Sequence, residues 1–278
     1  MKSFTILFLL PALILSCNTD ESEQSQKTDQ DSPVRKIEKE AFQQLIDSSG
    51  VTGAVLIFDP QQNIYYSNDF ARCDRGFLPA STFKIPNSII ALETGVVEND
   101  STLFQWDGKK RRLSIWERDM VFREAFHLSC VPCYQEIARK VGVPRMNEYL
   151  NRFDYGNMQV DTANIDRFWL EGNSRITPNQ QIGFLRRFYD AELPIAPRTE
   201  RIMKSLMVME ETNGYKLSGK TGWAIRDGFN IGWFVGYLEI RENVYFIAVN
   251  IDPKEDFNMD FFARVRKDIA LKALEHII

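Results

Sequence analysis

Residues 79–88 read Pro-Ala-Ser-Thr-Phe-Lys-Ile-Pro-Asn-Ser and contain the residues on which the prediction of fold and chemistry depends. The stretch begins a predicted helix, so Ser81 lies at the helix N-terminus and Lys84, three residues further on, shares its face. A serine hydroxyl is a poor nucleophile unless a base takes its proton, and an amine does so only when burial lowers its pKa. The positive end of the helix also favours a developing anion. Ser81 and Lys84 are therefore a candidate nucleophile and base.

A capped helix with a solvated lysine explains the same residues without any catalysis. Serine and lysine are common, and a chain of this length should contain roughly one Ser-x-x-Lys by chance. Ser81-Thr-Phe-Lys84 is the only instance in the sequence. More distant segments have to decide between the two interpretations.

A second segment of interest, Lys220-Thr221-Gly222 followed by Trp223, comes about 140 residues later and closes a strand-like run. A cation and a hydroxyl at this place suit a substrate carboxylate, and the glycine lets a substrate approach the strand edge. An exposed lysine where a strand ends is the alternative for an isolated Lys-Thr-Gly. Its occurrence after a unique Ser-x-x-Lys favours the catalytic interpretation.

Predicted strands lie on both sides of a helical region. Residues 52–58 and 64–66 flank the turn Asp59-Pro-Gln-Gln-Asn63 and predict a hairpin. Strand patterns return at residues 215–220, 229–240 and 244–251, before an amphipathic helix over about residues 257–277.

Helical spacing dominates elsewhere. A first helix is predicted from Ile37 to Ile46, and residues 82–210 are mostly helical, with Thr177-Pro178 at a helix start and Gly142 at a helix end. We therefore predict an α+β fold with one antiparallel sheet built from both chain ends around a mainly helical middle. The sequence lacks the strand–helix alternation and Gly-rich loop of a doubly wound nucleotide-binding fold.

Composition limits the class of protein. With 278 residues, of which 44% are hydrophobic and 26% charged, the chain can bury one sizeable core. We expect a single catalytic domain over residues 35–278. The net charge of −4 provides no basic stripe for a phosphate backbone, so nucleic-acid binding is disfavoured.

The first residues predict export. Lys2 precedes an apolar run over residues 4–15 and then Ser16-Cys17, which is too short for a membrane-spanning helix and is typical of a signal peptide. A small residue before cysteine favours a lipoprotein signal over residues 1–17, with Cys17 lipidated and the protein held at a membrane surface in the periplasm. Ordinary cleavage and an uncleaved anchor are the alternatives. Residues 18–34 are almost entirely polar and predict a flexible linker.

Beyond these two segments, the chain resembles the class D, oxacillinase-type serine β-lactamases over nearly everything from Arg35 onward. The residues that carry the resemblance are 79–88, Ser129-Cys130-Val131 leading into Tyr134-Gln-Glu-Ile-Ala-Arg-Lys140, Tyr155-Gly156-Asn157, Phe168-Trp169-Leu170, Lys220-Thr221-Gly222 and Arg266. It implies a β-lactamase/transpeptidase-like fold and β-lactam antibiotics as small-molecule substrates.

The resemblance implies a double-displacement hydrolysis, in which Ser81 opens the lactam ring and water then releases the ring-opened acid. It implies that Lys84 serves both steps as an N-carboxylated base, formed with carbon dioxide or bicarbonate and without any further cofactor. Only a neutral, desolvated amine adds carbon dioxide. Trp169 is expected to hold the carbamate through its indole N–H, and Val131 to supply a dry wall together with Phe83 and Leu170.

The remaining roles follow from the same resemblance. Ser129 relays a proton to the departing nitrogen with the help of Lys220, and the backbone N–H groups of Ser81 and Trp223 form an oxyanion hole. Thr221 and Arg266 hold the substrate carboxylate. The other positions assigned to substrate binding are Val131, Tyr155, Asn157, Gly222 and the side chain of Trp223.

The cysteines and histidines are not predicted to take part in catalysis. With Cys17 assigned to a lipid, Cys73, Cys130 and Cys133 form an odd set whose pairing the sequence leaves open; Cys130-Val-Pro-Cys133 has redox-motif spacing, but a buried pair or a local disulfide is favoured. The two histidines, His127 and His276, are too few for a histidine-rich zinc site, so no metal is expected.

Two related kinds of protein are alternatives to a β-lactamase. A covalent β-lactam sensor keeps its acyl adduct, but it needs spanning helices and a cytoplasmic domain. A penicillin-binding transpeptidase or carboxypeptidase shares the first and last motifs but has Ser-x-Asn in the middle, whereas Ser129-Cys-Val131 and Trp169 favour the lactamase. The sequence indicates neither the antibiotic spectrum nor the oligomeric state.

Overall fold

A large sheet with helices on both faces forms the framework of the protein. The structure, a computed structural model, describes residues 33–226 and 228–278, apart from the side chain of Arg226. The predictions for the signal peptide, for Cys17 and for nearly all of the linker lie outside these residues. Within the described part, the chain from Pro33 to Ile278 is one compact unit.

The elements alternate only in part between strand and helix. The strands are β1 (Arg35–Glu38), β2 (Val51–Asp59), β3 (Ile64–Ser67), β4 (Leu103–Phe104), β5 (Met120–Val121), β6 (Val208–Glu211), β7 (Tyr215–Arg226), β8 (Phe229–Ile240) and β9 (Asn243–Pro253). The α-helices are α1 (Glu40–Ser48), α2 (Phe70–Cys73), α3 (Lys84–Glu93), α4 (Phe122–His127), α5 (Val131–Val141), α6 (Val143–Phe153), α7 (Pro178–Tyr189), α8 (Pro197–Leu206) and α9 (Phe262–Glu275). None of the helices in the described ranges is long and apolar enough to cross a membrane.

The main sheet has the order β1-β3-β2-β9-β8-β7-β6, and β4 and β5 form a separate small ribbon. Strands from the two ends of the chain meet where β2 pairs antiparallel with β9. The predicted fold is thereby confirmed, with one difference. The edge strand β1 pairs parallel with β3, so the sheet is mixed rather than wholly antiparallel.

The prediction of a helix from Ile37 was wrong at its start. Ile37 belongs to β1 and pairs with Tyr66 of β3, and α1 begins only at Glu40. The apolar spacing alone could not reveal this, because the partner that makes Ile37 a strand residue lies almost thirty residues away in the chain.

Side chains of the central strands alternate between two cores. In β8, Trp233 and Val235 pack into the core on the helical-middle side, whereas Phe234 between them packs into the core beneath α1 and α9. This is the period of two expected of a strand, here buried on both faces. The sheet is thus a rigid layer between two apolar clusters.

Helix ends in the middle region follow their local signals. Thr177 caps α7 by accepting a hydrogen bond from the Gln180 N–H, with Pro178 in the first turn, as predicted. Gly142, with a φ of +79°, separates α5 from α6. Both boundaries therefore come from short-range chemistry.

Two glycines let β7 and β8 lie unusually close just before Lys220. Gly219 faces Gly236 across the strand pair. A Cβ atom on Gly236 would lie 2.2 Å from the carbonyl oxygen of Ser218, and one on Gly219 would lie 2.5 Å from that of Val235. No side chain fits between these strands at this level.

Gly236→Ala should therefore lower the free energy of unfolding by about 1–3 kcal/mol, the usual cost of overpacking. Gly183→Ala is the matched control, because nothing lies within 4 Å of its added Cβ; in the middle of α7 it should raise stability by about 0.5–1 kcal/mol. Urea denaturation measures both. A Gly236→Ala variant as stable as the parent would contradict the close strand packing.

Candidate active site

A tight turn presents Ser81. Residues Ala80–Phe83 form one turn of 3₁₀ helix that runs directly into α3. The Pro79 carbonyl accepts the Thr82 hydroxyl at 2.6 Å, and the Ala80 N–H donates to the Trp169 carbonyl at 2.9 Å. Ala80 has a φ of +52°, which is unfavourable for a residue with a Cβ and persists only where its surroundings impose it. The turn is therefore held firmly from two sides.

The base candidate lies directly under the nucleophile. Lys84 Nζ donates to Ser81 Oγ at 3.0 Å, and the Lys84 side chain is fully buried. Its ammonium position is 4.9 Å from the centre of the Tyr134 ring. Burial, and secondarily the nearby charge of Lys220, hold the pKa of Lys84 well below its ordinary value. A neutral Lys84 amine at this distance is able to take the Ser81 proton.

A second serine and lysine meet on the opposite side of the site. Lys220 Nζ donates to Ser129 Oγ at 2.5 Å, although the two residues come from β7 and from the turn between α4 and α5. Lys220 is 4% exposed, and burial, followed by the charge of Arg266, lowers its pKa to about 7. This pair can exchange a proton near neutral pH.

Arg266 reaches the same strand from α9. Its Nη1 donates to the Gly222 carbonyl, and Nε and Nη2 donate to the carbonyls of Phe262 and Ala263, both at 2.9 Å. Burial lowers its pKa to about 10. A guanidinium has five N–H donors, so these bonds leave donors for a carboxylate beside Thr221.

The role expected of Gly222 needs a correction. A Cβ on Gly222 would lie 3.1 Å from Thr82 Cγ2 and 3.2 Å from the Pro79 carbonyl oxygen. The missing side chain thus allows β7 to approach the Ser81 turn, rather than leaving room for a substrate. Trp223, next along β7, is half-buried and donates from Nε1 to Asn230 at 2.8 Å.

Trp169 forms the wall behind the nucleophile turn. Its indole stacks on Phe83, with ring centres 5.4 Å apart and planes at 20°. The side chain is fully buried, and its Nε1 has no hydrogen-bond partner among the described residues. Buried N–H groups are nearly always paired, so this indole N–H is available to an acceptor bound beside it.

Comparisons with known proteins agree with this geometry. Residues 3–275 match the family model of the penicillin binding protein transpeptidase domain. The chain is 40% identical over 217 residues to β-lactamase OXA-48 of Klebsiella pneumoniae, which covers 78% of this chain and 82% of that protein. It is 38% identical over 241 residues to β-lactamase OXA-10 of Pseudomonas aeruginosa, covering 86% and 89%.

Solved structures point the same way. The class D β-lactamase YbXI from Nostoc matches with a TM-score of 0.81 at 45% identity, over 85% of this chain and 98% of that one. A class D β-lactamase from Sebaldella termitidis matches with a TM-score of 0.84 at 35% identity, over 88% and 98%. The chain belongs to the class D β-lactamases.

Class D β-lactamases need no metal cofactor. In the part of this class D β-lactamase that the structure describes, no group of three or more His, Cys, Asp or Glu side chains is arranged to hold a metal ion. His127 is exposed at the surface; partial burial lowers its pKa, as do the charges of Lys220 and Arg123.

Two predicted substrate contacts, Tyr155 and Asn157, have partners within the protein. Tyr155 is 1% exposed, packs edge-on against Phe83 and Phe184, and donates its hydroxyl to Gln181 at 3.2 Å. Asn157 is exposed and forms an isolated backbone bridge with Arg175. Tyr155 therefore packs behind the nucleophile turn through Phe83, and the substrate contacts expected of Tyr155 and Asn157 stay predictions.

The contact residues at the start of α5 are arranged around a disulfide. Val131 is half-buried and packs against the core. Cys130 and Cys133 are joined, which answers the pairing that the sequence left open. Cys73 is a free, buried thiol 3.4 Å from the Ser67 hydroxyl, and burial raises its pKa to about 12.

Sequence reasoning missed two residues that shape the site of this β-lactamase. Tyr134 lies under Lys84 and pairs its hydroxyl with Ser88 at 2.7 Å. Gln181 is buried and donates to Thr82 Oγ1 at 2.9 Å. Tyr134 falls in a segment that the family resemblance already marked, whereas Gln181 carries no local signal because its partner is 99 residues away.

The charge state of Lys220 should appear in the pH dependence of stability. The folded-state pKa is about 7, against about 10.4 for an unfolded lysine. Between these values the unfolded chain binds more protons, so stability rises with pH. The free energy of unfolding of the parent, measured against that of Lys220→Met by urea denaturation, should increase from about pH 7 to pH 10, by at most ~1.4 kcal/mol per pH unit. A difference independent of pH would show that Lys220 is charged when folded.

Proposed function

We propose that this class D β-lactamase hydrolyses β-lactam antibiotics through an acyl-enzyme on Ser81, and so confers resistance. The observation that carries the proposal is the fully buried Lys84 amine 3.0 Å from Ser81 Oγ. Few structural roles require a lysine without its usual charge beside a serine at a helix start. The names of the relatives support hydrolysis and do not favour a sensor or a transpeptidase.

In acylation, Lys84 accepts the Ser81 proton while Ser81 Oγ attacks the lactam carbonyl carbon. The C–N bond of the ring then breaks, and Ser129 passes a proton to the nitrogen, assisted by Lys220. Backbone N–H groups of Ser81 and Trp223 stabilise the oxyanion; this is supported by the close approach of β7 to the nucleophile turn at Gly222. In deacylation, water attacks the ester, releases the ring-opened acid and regenerates the Ser81 hydroxyl.

Recognition of the substrate carboxylate falls to Thr221 and Arg266. Thr221 sits on β7 beside Lys220, and the Arg266 guanidinium donates to the next residue along the strand, Gly222. After burial, the charge of Lys220 lowers the pKa of Lys84 and the charge of Arg266 lowers the pKa of Lys220, and an anionic substrate offsets this repulsion. Binding of the carboxylate is thus coupled to the electrostatics of the reacting groups.

We further propose that Lys84 is N-carboxylated in the active enzyme. The bound carboxylate supplies the general base for both steps. The residues fit such a group, because Lys84 is buried with a strongly lowered pKa and a neutral amine is the form that adds carbon dioxide. Trp169 Nε1, buried and without a partner among the described residues, is the donor suited to hold it. Phe83 keeps water from this side by stacking on Trp169.

The anchor is a separate proposal that rests on the sequence. We propose that residues 1–17 are a lipoprotein signal, that Cys17 is lipidated, and that the enzyme works in the periplasm at a membrane surface. Residues 4–15 are mostly apolar and precede Ser16-Cys17, and residues 18–32 contain no aliphatic or aromatic residue. Such a placement puts the enzyme in the path of entering antibiotics.

Turnover of a chromogenic cephalosporin by the purified protein, with intact-mass analysis, tests the reaction. Ser81→Ala should lose turnover by at least ~10⁴-fold, as removal of a nucleophile does elsewhere, and should form no adduct. Lys84→Ala loses the base of both steps, so it should acylate more slowly than the parent and should not release the acyl-enzyme that does form. Lys216→Ala is the control, since this β7 lysine pairs on the surface with Glu239 and its loss should change nothing. A lasting stoichiometric adduct on the parent would instead indicate a sensor.

Trp169→Phe tests the carbamate. The variant keeps an aromatic ring on Phe83 but loses the N–H, and a buried hydrogen bond to a charged group contributes about 1.5–3 kcal/mol. Half-activation should therefore need roughly 10- to 100-fold more bicarbonate, and the carbamate signal from ¹³C-labelled bicarbonate should weaken in NMR spectra. In the control Trp233→Phe, the lost Nε1 bond goes to the Leu78 carbonyl, so stability should fall without a change in bicarbonate demand. An unchanged carbamate signal in Trp169→Phe would exclude this role of the indole.

A further inference from the structure

The Cys130–Cys133 disulfide lies in the chain directly between two residues of the candidate site, Ser129 and Tyr134. Cys130 is the residue between Ser129 and Val131 and caps the N-terminus of α5, and the bridge to Cys133 closes the first turn of that helix. The two residues are 1% and 8% exposed. None of the catalytic roles proposed above uses this bond.

The segment before the bridge is conformationally strained. Ser129 has a φ of +52°, a left-handed conformation that costs a serine free energy and persists only where neighbouring structure imposes it. On the α4 side, the Ser129 N–H donates to the Phe126 carbonyl at 3.1 Å and the Cys130 N–H to the Ala125 carbonyl at 2.9 Å. On the α5 side, the covalent restraint nearest to Ser129 is the disulfide.

The segment after the bridge contacts the other lysine. Tyr134 follows Cys133 directly, and its ring centre is 4.9 Å from Lys84 Nζ. The bridge therefore spans the stretch of chain that touches Lys220 through Ser129 and Lys84 through Tyr134. The stabilisation that a disulfide gives by restricting the unfolded chain increases, slowly, with the length of the loop that it closes, and this loop has a sequence separation of only 3. Its main effect is expected to be local.

We propose that the Cys130–Cys133 disulfide is a positioning element of the active site, which holds Ser129 against Lys220 and the first turn of α5 under Lys84, so that its reduction slows acylation. The proposal rests on the function proposed above for Ser129 and Lys220. The two cysteines do not touch the reacting atoms and act through the serine and the tyrosine.

Reduction of the bridge is chemically accessible. Cys130 and Cys133 line a cavity of about 290 Å³ together with Trp116 and Pro132, which gives a small thiol a route to the sulfur atoms. A dithiol such as dithiothreitol transfers two electrons and two protons to the bridge. The bridge is thereby reduced to two cysteine thiols, and the dithiothreitol is oxidised to a cyclic disulfide.

The test compares oxidised and reduced full-length enzyme. We expect reduction, verified by thiol alkylation and mass analysis, to lower kcat/KM and the acylation rate constant for benzylpenicillin by about tenfold, a part of the roughly 10²- to 10⁴-fold that a positioned proton-transfer group contributes. The acid limb of the acylation pH profile should move to higher pH as Lys220 becomes less buried. Reoxidation should restore both.

Cysteine variants distinguish the loss of the Cys130–Cys133 bridge from other effects of dithiothreitol on the enzyme. Cys130→Ala/Cys133→Ala should behave like the reduced parent and ignore dithiothreitol, whereas Cys73→Ala, which changes the buried free thiol, should respond as the parent does. A reduced enzyme with the rate constants and pH profile of the oxidised one would overturn the proposal, as would a loss of thermal stability with an unchanged profile. Absence of turnover in the oxidised parent would instead overturn the function on which it rests.

Discussion

The burial of Lys84 against Ser81 is the constraint on which the rest of the site depends. An isolated ammonium in an apolar interior is so unfavourable that the group releases its proton instead. Here the amine meets a serine hydroxyl and the face of Tyr134. The helical middle of the chain and the central sheet together bury the Lys84 side chain. This burial lowers the pKa of the amine and so makes Lys84 able to act as a base.

The second lysine extends the same principle across the site. Lys220 is buried in β7, is brought to Ser129 at 2.5 Å, and is itself influenced by the Arg266 charge. The three cations come from α3, β7 and α9, so only the assembled fold brings them together. Repulsion between Lys84 and Lys220 and between Lys220 and Arg266 is a cost to folding that an anionic substrate can offset, and this links stability to binding.

Close backbone packing makes such an arrangement possible. The absence of a side chain at Gly222 lets β7 lie against the nucleophile turn, and the facing pair Gly219 and Gly236 lets β8 lie against β7. Behind the turn, Gln181 and Tyr155 complete a buried chain of hydrogen bonds through Thr82. The reactive groups are therefore held by backbone contacts and by polar partners that never meet the substrate.

The sequence by itself determined the elements whose signals are local: the α+β pattern, the capped start of α7 and the Ser-x-x-Lys pair on one helix face. The family resemblance added the distant residues Ser129, Lys220, Arg266 and Trp169. Tertiary contacts were needed to show that Ile37 belongs to an edge strand parallel to its neighbour, that Tyr155 is buried behind the nucleophile turn, and that Cys130 pairs with Cys133. Each of these depends on contacts between separated segments or on backbone direction, and periodicity along the chain carries no information about either.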